Sequence, residues 1–287
     1  MDSGQWTGNG TRGRSHAHGF TLVELLISLT LTTMLSFVMG AMILAAHDGW
    51  EHSNGLSEAN QQARTSQDRI KYMISQAGQY RLTGQSTTLG IAVVEQRYPL
   101  VNSPEILVVW SGGRAGGMVS AGVQSRLPRV NELVIYTLSS ANPTRLMEIV
   151  HPTDASDLDF RAADFASRVR DVLTSALCQE ILLCDRIRTS ELFSLGPSPT
   201  VAGNVRFERC DSPTDAELQS VAPGSTAWFD LVWAQGIVSS GTGMRQTNIR
   251  MELQVESRSQ PPGTGSATTT TAIPFFASAS YRHVYQP

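Results

Sequence analysis

Residues 19–46 read GFTLVELLISLTLTTMLSFVMGAMILAA, and this stretch decides how the rest of the 287-residue chain is organised. Residues 25–46 contain no charged side chain. As an α-helix, that segment would be about 33 Å long, which matches a bilayer hydrocarbon core of about 30 Å. The sequence therefore predicts a transmembrane helix over residues 20–46.

The flanks of this helix predict its orientation in the membrane. Arg12 and Arg14 precede the apolar stretch, whereas Asp48, Glu51 and Glu58 follow it. By the positive-inside rule, the N-terminus then lies in the cytoplasm and the bulk of the chain lies on the other side of the membrane.

One charged residue, Glu24, lies inside the apolar stretch, where an unpaired carboxylate at mid-bilayer would cost roughly 2.5 to 3.5 kcal/mol. The segment GFTLVELL at residues 19–26 resembles the prepilin peptidase motif of type IV pilins and of type II secretion pseudopilins. In that family the peptidase cleaves after the glycine, the new terminal amine is methylated, and the glutamate pairs with a neighbouring subunit's amine. The resemblance implies that Gly19 is the recognition residue, Phe20 the cleaved and N-methylated terminus, and Glu24 the assembly carboxylate.

Two alternatives stay open for this N-terminus. A plain signal anchor with a chance glutamate is the first, and the leader does carry His18 where the family usually has Lys or Arg. A cleaved secretory signal peptide is the second, because residues 40–41 and 45–46 are small. A secretory apolar region is shorter than this one and ends in an Ala-x-Ala-like site, so the prepilin interpretation is preferred.

Beyond the membrane, residues 47–83 predict a polar helix with one apolar face, so that a single helix would run from Phe20 to about Arg81. The apolar side chains of this face recur at steps of three and four residues. They are Leu56, Ala59, Ala63, Ile70, Met73, Ile74 and Ala77.

From residue 89 the apolar pattern changes to a period of two or to short runs, which predicts strands. The predicted strands are residues 90–94, 105–110, 132–139, 145–150, 205–210, 227–234 and 248–256. Turn-rich separators favour antiparallel pairing. The predicted fold class is α+β: a long N-terminal α-helical spine, with a transmembrane and an amphipathic half, packed on antiparallel β-sheet in a pilin-like manner.

The order of the strands resembles that of J-type minor pseudopilins and of the related PilW-like minor pilins. The resemblance is carried by ELVIY at 132–136, RLME at 145–148, NVRFE at 204–208 and TNIRMEL at 247–253.

The predicted organisation also contains segments outside that pattern. Residues 162–189 predict a helix with an apolar face, which places a helical insertion at about 161–190. Residues 257–273, rich in Ser, Gly, Pro and Thr, predict a flexible linker. In chain order the parts are a leader at 1–19, the transmembrane helix at 20–46, the amphipathic helix at 47–83, the globular domain at 84–256, the linker, and a C-terminal strand or tail at 274–287.

No residue pattern predicts catalysis, a metal site or a cofactor site. Nucleophile-elbow, phosphate-loop, zinc-protease and dinucleotide motifs are absent from the sequence, and the glycine run at 111–117 predicts a flexible hairpin loop. Asp154, Asp157 and Asp159 could offer oxygens to Ca²⁺, but their loop lacks the glycine and terminal glutamate of an EF-hand. We therefore expect a protein that is not an enzyme and that binds no metal or cofactor.

Charge and cysteine content narrow the function further. The net charge is −3 and the basic residues are scattered, which argues against nucleic acid as a partner. Cys178 and Cys184 would point about 240° apart on the predicted helix, and together with Cys210 they are too few for a disulfide scaffold. We expect the histidines to be solvated. They are His16, His18, His47, His52, His151 and His283.

The resemblance implies a minor pseudopilin that helps initiate and cap the periplasmic pseudopilus of a type II protein secretion system. It would be a single-pass inner-membrane protein with a periplasmic C-terminal domain, placed at the pseudopilus tip after assembly. The implied partners are I- and K-type minor pseudopilins, the major pseudopilin, prepilin peptidase, the inner-membrane assembly platform and the lipid bilayer. The alternatives are a PilW-like minor pilin, serving adhesion, motility or DNA uptake, and a membrane-anchored periplasmic enzyme.

We predict that prepilin peptidase cuts this chain between Gly19 and Phe20, because the polar leader, the small residue and the abrupt apolar start meet there. Mass spectrometry of the mature protein should show the loss of the first 19 residues and a methylated terminal amine. Gly19→Glu should block the cut. An intact leader, or a terminus near Ala46, would contradict the prepilin interpretation.

Overall fold

The computed structural model describes residues 21–98, 102–193, 200–256 and 272–287. The chain divides into two units, Met1–Glu51 and His52–Pro287. The first helix, α1 (Leu22–Ser75), begins in the first unit and ends in the second. A long N-terminal helix followed by mainly antiparallel sheets is an α+β fold, so the predicted fold class is confirmed.

The remaining elements of the described residues all belong to the second unit. The strands are β1 (Gln79–Tyr80), β2 (Thr88–Leu89), β3 (Ile91–Arg97), β4 (Asn102–Trp110), β5 (Val123–Gln124), β6 (Leu133–Leu138), β7 (Leu146–Val150), β8 (Gln179–Cys184), β9 (Thr189–Phe193), β10 (Thr200–Gly203), β11 (Val205–Ser212), β12 (Val238–Ser239), β13 (Thr242–Val255) and β14 (Ile273–Tyr285). The helices are α2 (Phe165–Leu173), α3 (Asp215–Ser220) and α4 (Thr226–Phe229).

The two parts of helix α1 differ in whether their apolar side chains are exposed or buried. In the first unit its large apolar side chains are exposed, whereas in the second unit Ala59, Ala63 and Ile70 are fully buried against the sheets. The helix ends at Ser75, whereas the sequence predicts an end near Arg81. The reason lies at Gly78, where a Cβ would come within 2.9 Å of the Trp110 ring and where the N–H donates to the Trp110 carbonyl at 2.7 Å.

The largest sheet is antiparallel with the order β3-β4-β6-β7-β8. The predicted strands at 90–94, 105–110, 132–139 and 145–150 are confirmed as β3, β4, β6 and β7. Both faces of this sheet are covered, because Val134 packs in a cluster with α1 while Ile135 packs in a second cluster with Phe165 and Val169 of α2. A strand whose two faces are both covered has apolar residues at consecutive positions, as residues 106–110 show.

The second large sheet is built around β13. This strand pairs antiparallel with β11 on one side and with β14 on the other over its full register from Gly243 to Val255. Phe207, Ile249 and Met251 face α1 in the same core cluster as the largest sheet. The strands predicted at 205–210, 248–256 and the C-terminus are confirmed, whereas the predicted linker lies outside the described residues at 257–271.

Two predicted elements are wrong. Residues 162–189 form α2 and then strand β8, because residues 179–184 supply the hydrogen-bonding partner that the buried strand β7 requires. Residues 227–234 form α4 and the start of a 3₁₀ turn instead of a strand. The Ser225 hydroxyl accepts a hydrogen bond from the Trp228 N–H at 3.2 Å, which starts a helix there.

Glu148 of β7 connects α1 to the largest sheet. Its side chain is 1% exposed, and Arg69 of α1 donates to both carboxylate oxygens at 2.7 and 2.9 Å. Arg114 and the Tyr136 hydroxyl donate at 3.0 and 3.2 Å. Burial alone would raise the pKa of Glu148, but the hydrogen bonds from the two arginines outweigh it and hold that pKa below its usual value.

We predict that Glu148→Ala lowers the free energy of unfolding by about 3 kcal/mol, because Arg69 is left partly buried without its partner. The measurement is urea unfolding of the fragment 54–287, which we expect to fold alone because it is nearly the whole second unit. The control is Arg114→Ala, whose side chain is 51% exposed and whose loss should cost about 1 kcal/mol or less.

The wild type and Glu148→Ala, compared at different pH values, also test the charge of Glu148. A carboxylate with a lowered folded pKa stabilises the protein above its unfolded pKa of about 4.3, and this stability is lost as the pH falls through the lower folded pKa. The difference in stability between the wild type and Glu148→Ala should therefore shrink in acid. A difference that does not depend on pH would contradict the ion pair.

Candidate functional site

Thr21 and Glu24 cap the start of α1 reciprocally. The Thr21 hydroxyl accepts a hydrogen bond from the Glu24 N–H at 3.3 Å. The Glu24 carboxylate accepts from the Thr21 N–H at 2.9 Å and from the Thr21 hydroxyl at 3.0 Å. This capping box satisfies backbone donors that the start of a helix leaves free, and it holds the carboxylate where the helix dipole favours a negative charge.

The negative charge of Glu24 is not balanced within the described part of the chain. Its hydrogen-bond partners there are the two groups of Thr21, both neutral, and it forms no ion pair with any of the described residues. Gly19 and Phe20 lie outside those residues, so their roles stay predictions. The arrangement presents one carboxylate, without a cationic partner among the described residues, at the start of an apolar helix.

The apolar helix that follows Glu24 provides hydrogen-bond acceptors for its own hydroxyl groups. The hydroxyls of Thr30, Thr32 and Ser36 donate to helix carbonyls three or four residues earlier, at 2.7 to 2.8 Å. A hydroxyl bonded in this way does not need water, so it can lie in hydrocarbon without an unsatisfied donor.

By length and composition, α1 is the one helix in the described residues that could cross a membrane. Trp50 follows the apolar stretch and is 64% exposed. Tryptophan is enriched at the interface between lipid and water.

His151 and Ser175, which no sequence motif predicts as a pair, come together in the segment that connects β7 to β8. His151 Nε2 lies 3.0 Å from the Ser175 hydroxyl, while its Nδ1 accepts a hydrogen bond from the Asp154 backbone N–H at 3.1 Å. Because Nδ1 is the acceptor, the neutral ring carries its proton on Nε2 and donates it to Ser175. A histidine in this tautomer cannot take the serine proton, so the pair is not an activated nucleophile.

The three aspartates that could offer oxygens to Ca²⁺ each have a different partner. Asp154 accepts from the Ser156 N–H at 2.8 Å, and Asp159 accepts from the Tyr80 hydroxyl at 2.7 Å. Asp157 forms an isolated antiparallel β-bridge with Arg129 through the backbone. Among the described residues, no three acidic, histidine or cysteine side chains are placed to share a metal ion.

The expectation that the histidines are solvated is wrong for His151 and His283, which are 7% and 2% exposed. Burial, followed by the charges of Arg245 and Arg209, lowers the pKa of His283 to about 4, so this ring is neutral at physiological pH. Cys178, Cys184 and Cys210 are free thiols. Only Cys184 of these is fully buried.

A family model described as the prokaryotic N-terminal methylation motif matches residues 14–45. These residues include the predicted cleavage pair, Glu24 and most of the apolar stretch. The motif indicates a protein of the type IV pilin-like or pseudopilin class, a class that is typically structural, processed by prepilin peptidase and assembled with other pilins. Together with the single apolar helix it fits single-pass anchoring in the inner membrane. Neither the curated proteins nor the solved structures contain a match to this chain.

For the His151 and Ser175 pair, we predict that a fluorophosphonate probe does not label Ser175 at neutral pH, because the imidazole holds the proton that a general base would have to accept. The measurement is intact-protein mass spectrometry after incubation with the probe, with a serine hydrolase as the positive control. Labelling that disappears in Ser175→Ala would contradict the tautomer and would favour an enzyme.

Proposed function

We propose that this chain is a minor pseudopilin that helps initiate and cap the periplasmic pseudopilus of a type II protein secretion system. The single observation that carries the proposal is the methylation motif at residues 14–45, in which Glu24 is the one charge of the apolar segment and has no cationic partner among the described residues. A protein built in this way acts by assembly, with its chemistry confined to the processing of its N-terminus.

Processing prepares the assembly site. Cleavage between Gly19 and Phe20 removes the polar leader with Arg12 and Arg14, and it creates a terminal amine one residue before the Thr21 cap. The amine stays positive after methylation, so each mature subunit carries one cation and one carboxylate near the same end of its helix. Each subunit can therefore donate one charge to a neighbour and accept another.

Assembly follows from the energetics of these charges in lipid. A lone carboxylate in the apolar segment is costly, and a cation supplied by the next subunit removes much of that cost. Attraction between opposite charges is stronger in a medium of low dielectric constant than in water. The pairing therefore favours a neighbour whose leader has been removed, because only such a neighbour presents its amine.

The size of the chain and the presence of Glu24 support a minor subunit of the J type. Without its first 19 residues the 287-residue chain is still longer than a usual major pilin, and K-type tip subunits usually lack the carboxylate. A PilW-like minor pilin would use the same motif. The neighbouring genes discriminate between the two, because a secretin with G- to K-type genes accompanies secretion and a retraction ATPase accompanies pili.

We predict that Glu24→Ala is cleaved and inserted into the membrane but enters filaments poorly. Losing the pair leaves the neighbour's amine without its partner, at a cost of about 3 kcal/mol, which corresponds to roughly a hundredfold weaker association. The measurement is the amount of this chain that co-purifies with sheared filaments, together with secretion by the same cells. Membrane insertion should not fall, because the substitution removes a charge from the apolar segment.

The control for the helix cap is Glu24→Gln. Its amide oxygen can still accept the hydrogen bonds from Thr21, but it carries no charge. If the charge pair drives assembly, Glu24→Gln should fail as Glu24→Ala does. Normal assembly by Glu24→Gln would show that Glu24 acts only as a cap, and normal assembly by both variants would remove the assembly role altogether.

A further inference from the structure

Strand β14 forms one edge of the second large sheet, and β13 is its one strand partner among the described residues. The pairing of the two strands runs without a bulge from Gly243 to Val255 of β13. Residues 273–281 of β14 contain no charged side chain. A long, regular and uncharged edge strand is a template for pairing with another chain.

The other edge strands of the two large sheets are protected against such pairing. Strand β3 carries Glu95 and Arg97 and has a register shift between them and its start. Strand β8 has six residues, carries Glu180 and has a shifted register with β7. Strand β11 has charged side chains at four of its eight positions, and β12 has two residues. Charges, bulges and short length are the usual ways to blunt a sheet edge, so β14 is the exception in this fold.

The register shows which backbone groups of β14 face away from β13. The Gln254 N–H of β13 donates to the Asn204 carbonyl, on the β11 side, at 3.0 Å. Successive residues of a strand bond alternately to its two neighbours, so Leu253 faces β14 and its register partner Phe275 faces β13. The residues of β14 whose N–H and C=O groups point to the free edge are therefore Phe276, Ser278 and Ser280.

The free edge is already used for pairing at its far end. The Thr87 N–H donates to the carbonyl of Gln286, just after β14, at 2.7 Å, and the Gln286 N–H donates to the Thr87 hydroxyl at 3.2 Å. Pro274, which has no N–H, also takes an outward position, where it removes no hydrogen bond to β13. Between these two points the edge is open: its three outward residues are exposed, and none of their backbone groups pairs with a described residue outside β13.

The side chains of β14 determine what kind of strand the edge accepts. Phe275, Ala277 and Ala279 are half-buried and pack at the border of the core cluster around α1. A strand added at the edge would place every second side chain beside this row. Apolar side chains at those positions would extend the core, whereas a charged one would lie against apolar surface. The added strand must also lack proline, because each inward N–H is needed as a donor.

A second copy of this chain fits the edge less well than another protein does. Two identical edge strands form one continuous antiparallel sheet about a two-fold axis perpendicular to that sheet. Helix α1 lies along one face of the sheet, with buried residues from Ala59 to Ala77. The axis would therefore place the two α1 helices on the same face but in opposite directions. Two chains anchored in one membrane through α1 cannot both satisfy this, a step that rests on the anchoring in the proposed function.

We propose that the free edge of β14 from Phe276 to Ser280 binds an extended segment of another protein as an added β-strand. The segment is about six residues long, the usual length of a strand, contains no proline and has uncharged apolar side chains at alternate positions. Its main chain bonds to the three outward residues of β14, and its alternate side chains cover the half-buried row. Main-chain hydrogen bonds supply the affinity in this mode of recognition, and the alternate side chains supply the specificity.

The test is photo-crosslinking in cells with the full-length chain, carrying p-benzoylphenylalanine in place of Phe276, which is 71% exposed. The matched control carries the same group at position 206, because Arg206 is exposed in the same cross-strand row but lies on β11 at the opposite edge. We expect an adduct from position 276 to a protein segment of the stated pattern, mapped by mass spectrometry, and none from position 206. The mass of the mature chain reports its processing separately, so that a failure at the N-terminus is distinguishable from a failure of the edge.

Backbone variants of the crosslinking chain test whether the segment pairs as a strand. Ser278→Pro should lower the adduct yield at least about tenfold, because it removes an outward N–H and its ring occupies the place of the new strand. Ser278→Ala keeps the N–H and should leave the yield unchanged. Both variants should melt at the same temperature in detergent, since the Ser278 N–H makes no hydrogen bond to β13.

Hydrogen exchange of the purified adduct tests the same pairing without a substitution at position 278. The amides of Ser278 and Ser280 should exchange at least about tenfold more slowly than in the uncrosslinked chain, while those of Ala277 and Ala279 should not change, because they already bond to β13. Slower exchange without this alternation would overturn the proposal. So would an adduct within the chain or to a second copy, a mapped segment with charged residues at the alternate positions, a yield that Ser278→Pro does not lower in a folded chain, or no adduct above the position 206 control.

Discussion

The contact between the second half of α1 and the two large sheets is the interaction on which the described structure depends. Ala59 and Ala63 let the helix approach closely, while Ile70, Met73 and Ile74 fill one core cluster with residues from both sheets. Arg69 on the same helix reaches the buried Glu148. Because the two sheets meet around one helix face, that face must stay apolar even though the helix is otherwise polar there.

The apolar first half of α1 meets the requirements of a different solvent, which is lipid. In lipid each backbone polar group needs a partner from within the segment, and a helix supplies these partners without tertiary contacts. The hydroxyls of Thr30, Thr32 and Ser36 follow the same requirement by donating to helix carbonyls. Glu24 is the exception, because its cap hydrogen bonds leave its charge without a counter-ion in the described chain. In the proposed function, a partner subunit supplies this charge.

Polar groups in the second unit are largely used to hold the fold together. Glu148 is bound by two arginines, Arg245 joins α3 to β13, and His151 is fixed between a serine and a backbone N–H. These contacts give each of the three side chains a role in stabilising the fold.

The sequence by itself determined the helix that could cross a membrane, the α+β class and the candidate Glu24 site, because each depends on local pattern: a charge-free run, a change of apolar period, and one carboxylate inside an apolar segment. It predicted most strands of the two large sheets for the same reason. Only the tertiary structure decided the strand at residues 179–184. The apolar residues of this segment are also compatible with a helix, and it forms a strand because β7 needs a hydrogen-bonding partner. It also decided the end of α1, where Gly78 must pass Trp110, and the burial of His151 and His283, which depends on residues distant in the chain.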